Sequence, residues 1–233
     1  MKERGIIFNS EMVRAILDGR KTQTRRIMKP QPKPNENGGF SWPSNICQSM
    51  INIKEMMQNN EGAWAGIAGI ACPHGGVGDR LWVRETWMPD APRDGTWSDI
   101  EFYGCKDSKL SMIPERFRKP EHCIHRASWK GSELVGWTPS IHMPRWASRI
   151  TLEITNVRVE HLNDISARDV VAEGLIQLPA SGRYVRFEGA QHFGLAYRDH
   201  KEAFADLWDE VSKPDCNFES NPWVWVIEFK KVE

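Results

Sequence analysis

The segment from Gly19 to Arg26 brings an amine, hydroxyls and guanidinium groups together in a short stretch of chain. A lysine that is partly withdrawn from water has a lowered pKa and can act as a base, so Lys21 is the first candidate for chemistry. The hydroxyl of Thr24 is a nucleophile or a hydrogen-bonding group, and a nearby carboxylate would orient the amine or carry a proton. The structural alternative is an ion pair of Lys21 with Glu85 or Glu173, with Thr24 as a favourable strand residue.

The elements around this segment are a strand, a helix and a second strand. Ile6 to Phe8 is a short apolar run that predicts a strand, and Ser10 is a good N-cap for a helix that runs to Asp18. Gly19 ends this helix. From Arg20 to Ile27, β-branched and charged residues alternate, which is typical of an extended strand with two different faces. The candidate lysine and threonine therefore lie on a predicted strand that directly follows a helix.

Alternation, helical spacing and capping residues predict further strands over Arg80–Trp87, Arg149–Val159 and Trp223–Val232, and helices over Ser166–Glu173 and Lys201–Val211. In the first of these strands, Glu85 shares a face with Leu81 and Val83. A carboxylate on an apolar face needs a partner, which we expect to be Lys21 or Arg25.

Two irregular regions separate these elements, at about residues 31–77 and 89–145. Both are rich in Pro and Gly, so we interpret them as insertions, the first with a helix near Asn52 to Gln58. Strands outnumber helices and the connections are irregular. The sequence therefore predicts an α+β fold, a small β-barrel flanked by short helices and carrying two irregular insertions.

Four segments resemble, in order along the chain, the motifs of the ASCH family. This family is related to the PUA-like RNA-binding barrels. In the first segment, the family's G-x-K-T-x-x-R signature is matched by Gly19, Lys21, Thr22 and Arg25, with Arg26 as an alternative final arginine. The other segments are Gly78–Glu85, Asp164–Gly174 and Trp223–Phe229. The resemblance covers about residues 1–30, 78–88 and 146–233, and implies a single ASCH-like domain over residues 1–233 interrupted by the two insertions.

The resemblance also implies a function. The family includes small amidohydrolases that remove an acyl group from the exocyclic nitrogen of cytidine derivatives such as N4-acetylcytidine, using a lysine, a threonine and a glutamate on a later helix. Those positions fall on Lys21 as general base, Thr24 as nucleophile or water-positioning group, and Glu173 as the carboxylate that holds Lys21 and passes the proton to the leaving amine. An amidohydrolase of a modified pyrimidine nucleoside, working without a cofactor, is therefore expected.

Two other functions suit the same fold, a non-catalytic RNA-binding module and a ribonuclease. Guanidinium groups bind phosphate through paired hydrogen bonds, and tryptophan rings stack on bases, although core packing is the alternative for each ring. The predicted nucleoside or RNA contacts lie on the two motif strands: Arg25, Arg26, Trp82, Arg84, Glu85 and Trp87. Members with long insertions are common in bacteriophages, so the resemblance also implies a phage origin.

Composition limits the partners. The 31 basic and 31 acidic residues balance, so any nucleic-acid contact must be local. No signal-peptide pattern and no run of about 20 apolar residues is present, so we expect a soluble, cytoplasmic protein without a membrane partner. Five cysteines, an odd number, favour reduced thiols. The pairs Cys72 with His74 and Cys123 with His125 offer metal ligands, but they lack the spacing of a structural zinc site, so no metal is expected.

Overall fold

The computed structural model of the protein describes residues 1–58, 66–90, 109–131 and 136–232. The strands of the described chain are β1 (Glu3–Ile7), β2 (Gln23–Ile27), β3 (Lys33–Pro34), β4 (Phe40–Ser44), β5 (Ser49–Asn52), β6 (Arg80–Arg84), β7 (Trp87–Pro89), β8 (Cys123–His125), β9 (Thr151–His161), β10 (Ile176–Gln177), β11 (Tyr184–Val185) and β12 (Trp223–Val232). The helices are α1 (Ser10–Leu17), α2 (Ile53–Met57), α3 (Ile67–Ala71), α4 (Ala167–Ala172) and α5 (His200–Val211).

The largest sheet has five strands in the order β1-β6-β9-β12-β2. Its β12 and β2 strands are antiparallel, with Ile227 opposite Thr24. Strands β3, β4 and β5 form a separate antiparallel sheet, and β7 with β8 and β10 with β11 form antiparallel pairs. The protein therefore has the predicted α+β fold. Among the described residues the main sheet ends at β1 and β2, so it is open rather than the closed barrel that we expected.

The chain divides into two compact units, the first made of residues 1–4, 15–81 and 152–232 and the second of residues 5–14 and 82–151. In the first unit, Trp225 is fully buried and its ring meets that of Trp42 edge-on, with centroids 5.3 Å apart. In the second unit, Trp87, Met143 and Ala147 form a buried cluster. Large aromatic side chains bury much apolar surface, so each unit has a core of its own.

Two helix starts differ slightly from prediction. The first helix is capped by Asn9 rather than by Ser10, because the Asn9 Oδ1 atom accepts a hydrogen bond from the Met12 backbone at 2.8 Å. Asparagine and serine are equally favoured as N-cap residues, so residue type alone does not decide between Asn9 and Ser10. The last helix begins at His200, after the N-cap Asp199.

Two strands near the candidate residues also differ from prediction. β2 begins at Gln23, so Lys21 precedes the strand instead of lying on it. Its backbone N–H bonds to the Ala15 carbonyl of the preceding helix, at 2.9 Å, and is therefore not part of a strand ladder. The predicted strand from Arg80 to Trp87 is divided into β6 and β7, which leaves Glu85 between strands.

The first predicted insertion, residues 31–77, contains β3 to β5, α2 and α3. The helix predicted near Asn52 to Gln58 is present as α2, and the Asn52 side chain accepts a hydrogen bond from the Lys54 backbone at 2.9 Å. The second predicted insertion, residues 89–145, lies partly outside the described residues. Within the described chain, no helix combines the length and the apolar character that crossing a bilayer requires.

Candidate active site

The turn after α1 places Lys21 beside the end of α4. Gly19 adopts a positive φ of 73°, which ends α1 and reverses the chain. The backbone N–H groups of the next residues bond to α1 on one side and to α4 on the other. That of Lys21 donates to the Ala15 carbonyl, and that of Thr22 donates to the Ala172 carbonyl at 2.8 Å. The base of the Lys21 side chain is therefore held between two helices.

Helix α4 places Glu173 with equal precision. Ser166 and Asp169 form a reciprocal capping box at its start, and Glu173 is its C-cap residue. The following Gly174 has a φ of 107°, and a Cβ atom there would lie 3.2 Å from the Lys21 Cβ. Only glycine combines this conformation with such a close approach. The helix can therefore end directly against Lys21.

Lys21 and Glu173 form a buried pair. The Lys21 Nζ donates to the Glu173 Oε2 at 2.7 Å and to the Glu173 backbone carbonyl at 2.8 Å. The lysine side chain has 0% exposure and the glutamate side chain 4%. Two residues that are far apart in sequence, and were both predicted to be catalytic, are thus in direct contact.

Arg25 holds the other oxygen of the same carboxylate. Its Nη1 donates to the Glu173 Oε1 at 3.0 Å, and its Nη2 lies 3.5 Å from an Asp169 oxygen. Its Nε donates to Glu160 at 3.1 Å, and a second, short contact joins Nη2 to the same oxygen. The Arg25 side chain has 0% exposure. Arg25 therefore holds carboxylates of the protein and has no surface for a phosphate or sugar, the contact predicted for it.

Burial lowers the pKa of Lys21 from its ordinary value, because removal from water disfavours the ammonium form. The charge of Glu173 opposes this shift, whereas the charges of Arg26 and Arg25 add to it. For Arg25, burial also acts downward, but the charges of Glu173 and Glu160 outweigh it and raise its pKa. Of the two cations that contact Glu173, only the lysine can become a neutral base, because an arginine stays protonated in proteins.

Thr24 is buried in β2, with 3% exposure. Successive side chains of a strand point to opposite faces, so Thr24 and Arg26 share one face while Gln23 and Arg25 share the other. The charge of Glu173 acts on Arg26, and burial lowers the Arg26 pKa. Thr24 is therefore close to Lys21 and Arg25 in sequence. Its side chain points to the face of β2 opposite the one from which Arg25 reaches Glu173.

Arg158 extends the ion-pair network and was not predicted from the sequence. Its guanidinium donates to Asp169 at 2.9 Å and to Glu160 at 3.3 Å, and it makes a short contact with Glu228. Alternation along β9 could have identified Arg158, because Arg158 and Glu160 lie on the face opposite the buried Val157 and Val159. The network is too long to be read as one motif.

The remaining predicted binding residues belong to the second unit. Arg84 donates to the Ser140 carbonyl at 3.2 Å, makes a short contact with the Ile141 carbonyl, and its guanidinium lies 5.3 Å from the half-buried Trp82 ring. Trp87 is fully buried, and its ring packs edge-on against Trp146 with centroids 5.5 Å apart. For Trp87 the core-packing alternative therefore describes the structure.

Glu85 corrects one expected pairing. We expected Lys21 or Arg25 to neutralise this carboxylate, but Arg149 does so. The Arg149 Nε and Nη2 donate to the two Glu85 oxygens at 2.9 and 3.0 Å. Arg149 lies just before β9, outside the motifs used for the prediction. Burial still alternates through Leu81, Val83 and Glu85, so Glu85 lies on the predicted face and only its partner differs.

The cysteine and histidine pairs were considered as metal ligands. Among the described residues, no group of three or more His, Cys, Asp or Glu side chains is arranged to hold an ion. Burial raises the pKa of Cys72 to about 12 and that of Cys123 to about 12, which keeps both thiols protonated. Burial also lowers the pKa of His74 to about 4.

In comparisons with known proteins, no family model matches the chain, and neither the curated proteins nor the solved structures contain a significant match.

Proposed function

We propose that the protein is an ASCH-type amidohydrolase, built on a PUA-like core, that removes the acyl group from N4-acetylcytidine or a related acylated pyrimidine nucleoside. The observation that supports this is the contact of 2.7 Å between the Lys21 amine and the Glu173 carboxylate, both buried. Buried titratable groups with a perturbed pKa, such as Lys21, are concentrated at catalytic sites.

Lys21 is the general base of the proposed reaction. In its neutral form the amine accepts the proton of the attacking hydroxyl group, while the oxygen of that group adds to the acyl carbon. Collapse of the tetrahedral intermediate breaks the bond between this carbon and the exocyclic nitrogen. The proton returns through Glu173 to the leaving nitrogen, which departs as the free exocyclic amine. The acyl group leaves as a carboxylic acid if water attacks, or remains as an ester if the Thr24 hydroxyl attacks.

Arg25 is a positioning residue in this scheme. Arg25 stays protonated and donates a hydrogen bond to the Glu173 Oε1. It therefore compensates the charge of the carboxylate after Lys21 has lost its proton. Its contacts with Glu160 also fix the guanidinium in place. The carboxylate thus keeps its orientation while it accepts the proton from Lys21 and passes it on, and it is ionised again at the end of the cycle.

Thr24 is proposed either to attack the acyl carbon, forming an ester that water then hydrolyses, or to orient the attacking water. Both routes need its hydroxyl near the Lys21 amine when substrate is bound. The two routes differ in one intermediate, because only the first forms an acyl-enzyme.

The RNA-binding alternative is supported less well. It depended on Arg25, Arg26 and Arg84 as phosphate contacts, and the Arg25 side chain is fully enclosed by carboxylates. Arg84 is engaged by backbone carbonyls. No contact of the described residues favours a ribonuclease over a nucleoside hydrolase.

The test incubates the purified protein with N4-acetylcytidine and follows cytidine release by chromatography. We expect release by the wild type, and a loss of about 10²- to 10⁴-fold in kcat/KM for Lys21→Ala, the usual contribution of a general base. Lys29→Ala, which changes an exposed lysine of the same segment, is the matched control and should keep full activity. Absence of release by the wild type, or equal rates in all three proteins, would refute the proposal.

A further inference from the structure

A polar cavity of about 370 Å³ opens beside the ion-pair network. Small-molecule pockets typically have volumes of about 300–1,000 Å³, so the cavity is large enough for a ligand of nucleoside size. Its walls include Gln23, Arg158, Arg168, Asp169 and Glu228. Among the described residues that line it, neither Lys21 nor Glu173 is present, so the cavity is distinct from the proposed catalytic pair.

The amide of Gln23 is the unusual group in this cavity. The residue is 2% exposed, and its Oε1 is 3.5 Å from the Arg158 Nη2, at the outer limit of a hydrogen bond. Its Nε2 is buried and has no hydrogen-bond partner in the described part of the chain. An unsatisfied buried donor costs free energy, and in native proteins such groups are rare. The position therefore suits an acceptor atom that the protein itself does not supply.

The charges around the cavity balance. Arg158 and Arg168 contribute two cations, and Asp169 and Glu228 contribute two anions. Arg158 already joins Asp169 and Glu228, so most of this charge is internally compensated. A balanced lining gives no net attraction for an anion, and it favours an uncharged ligand that is recognised by hydrogen bonds.

We propose that this cavity is a second ligand site, which binds an uncharged, carbonyl-bearing molecule of nucleoside size. The Gln23 Nε2 donates to the carbonyl after a rotation about the last side-chain bond, a torsion with a broad and shallow profile. Thr22 and Thr155 are exposed residues at the cavity wall, and their hydroxyl groups suit the hydroxyls of a sugar.

The test titrates ¹⁵N-labelled wild-type protein with uridine and follows the Gln23 side-chain amide by NMR. Uridine has ring carbonyls but no acyl amide, so the result does not depend on whether Lys21 is catalytic. We expect saturable shifts of the Gln23 side-chain amide and of the Thr155 backbone amide. Ribose and inorganic phosphate at equal concentration should leave both unshifted.

Gln23→Met supplies the second measurement. It keeps the shape of the side chain and removes the donor, so uridine should bind at least about tenfold more weakly. The Tm of the free protein should stay constant or rise, because an unsatisfied donor has been removed. Gln191→Met, on an exposed glutamine, is the matched control and should change neither quantity.

Three results would overturn the proposal. The first is an absence of uridine shifts at Gln23 and Thr155 in the wild type. The second is unchanged uridine affinity in Gln23→Met, or a clear fall in its Tm, which would mean that the amide is already bonded within the fold. The third is phosphate binding that Arg168→Ala abolishes and Gln23→Met does not, because that pattern defines an oxyanion site.

Discussion

Two buried glutamates of this protein are neutralised in different ways. Glu173 is 4% exposed and shares its two oxygens between a lysine and an arginine, whereas Glu85 is 1% exposed and gives both oxygens to one arginine. An arginine holds a carboxylate in a fixed geometry and never releases its proton. A lysine is able to release its proton, and burial lowers the pKa of Lys21.

Under the proposed function, Glu85 has a structural role, whereas Glu173 takes part in proton transfer. Burial alone does not make the distinction, since both carboxylates are almost fully enclosed. The identity of the partner makes it, together with the second cation at Glu173. Three predictions test the comparison.

The largest effect is expected on activity. Glu173→Gln should lower kcat/KM for N4-acetylcytidine by about 10²- to 10⁴-fold, because the amide cannot carry the proton from Lys21 to the leaving nitrogen. Glu85→Gln should keep the rate within about threefold, as measured in the same assay on protein shown to be folded by circular dichroism. If the two variants lose activity equally, the distinction between the two glutamates fails.

A smaller effect is expected on stability. Glu85→Gln leaves the guanidinium of Arg149 without its charged partner, and Arg149 is only 24% exposed, so we expect a loss of about 2–3 kcal/mol in the free energy of unfolding. Urea denaturation measures this loss. Glu188→Gln, on an exposed glutamate, is the control and should change stability by less than about 0.5 kcal/mol. A loss no larger than that of the control would mean that the Arg149 pair is not a structural tie.

The smallest effect is a shift in pH dependence. The reaction needs the neutral amine, so kcat/KM should rise with pH through the pKa of Lys21. The charge of Arg26 lowers that pKa, so Arg26→Gln should raise it and move the rising limb to higher pH. Lys29→Gln is the control, because it removes a positive charge from an exposed residue of the same segment. A limb that stays in place, or moves to lower pH, would contradict the assignment of the base.

Local patterns predicted the regular elements well where one rule dominates. The capping box at Ser166 and Asp169 identified the start of α4, and the alternation of apolar and polar residues identified β9. The sheet of β3, β4 and β5 was missed because Pro34 in β3 and Pro43 in β4 indicate irregular structure rather than strands. The boundary of β2 was misplaced because backbone hydrogen bonds to α1 and α4, which decide it, leave no mark on the local sequence.

The part of the site that lies in the motif segments could be predicted from the sequence. The pairing of Lys21 with Glu173 was among the interactions considered, and the structure has it. The contacts of Arg25 with Glu160, and those of Arg158, depend on which strands are neighbours in the sheet. Sequence separation gives no access to that information. The partner of Glu85 was wrong for the same reason, since Arg149 comes from outside the motif segments.

The length of α4 has a consequence for how this site can change. Asp169 and Glu173 are one helical turn apart, so both carboxylates point to the same side and a single Arg25 reaches both. Adding or deleting one residue between them would rotate Glu173 by about 100° around the helix axis and direct it away from Lys21. A substitution on the outer side of this turn leaves that spacing unchanged, whereas an insertion or deletion removes Glu173 from Lys21.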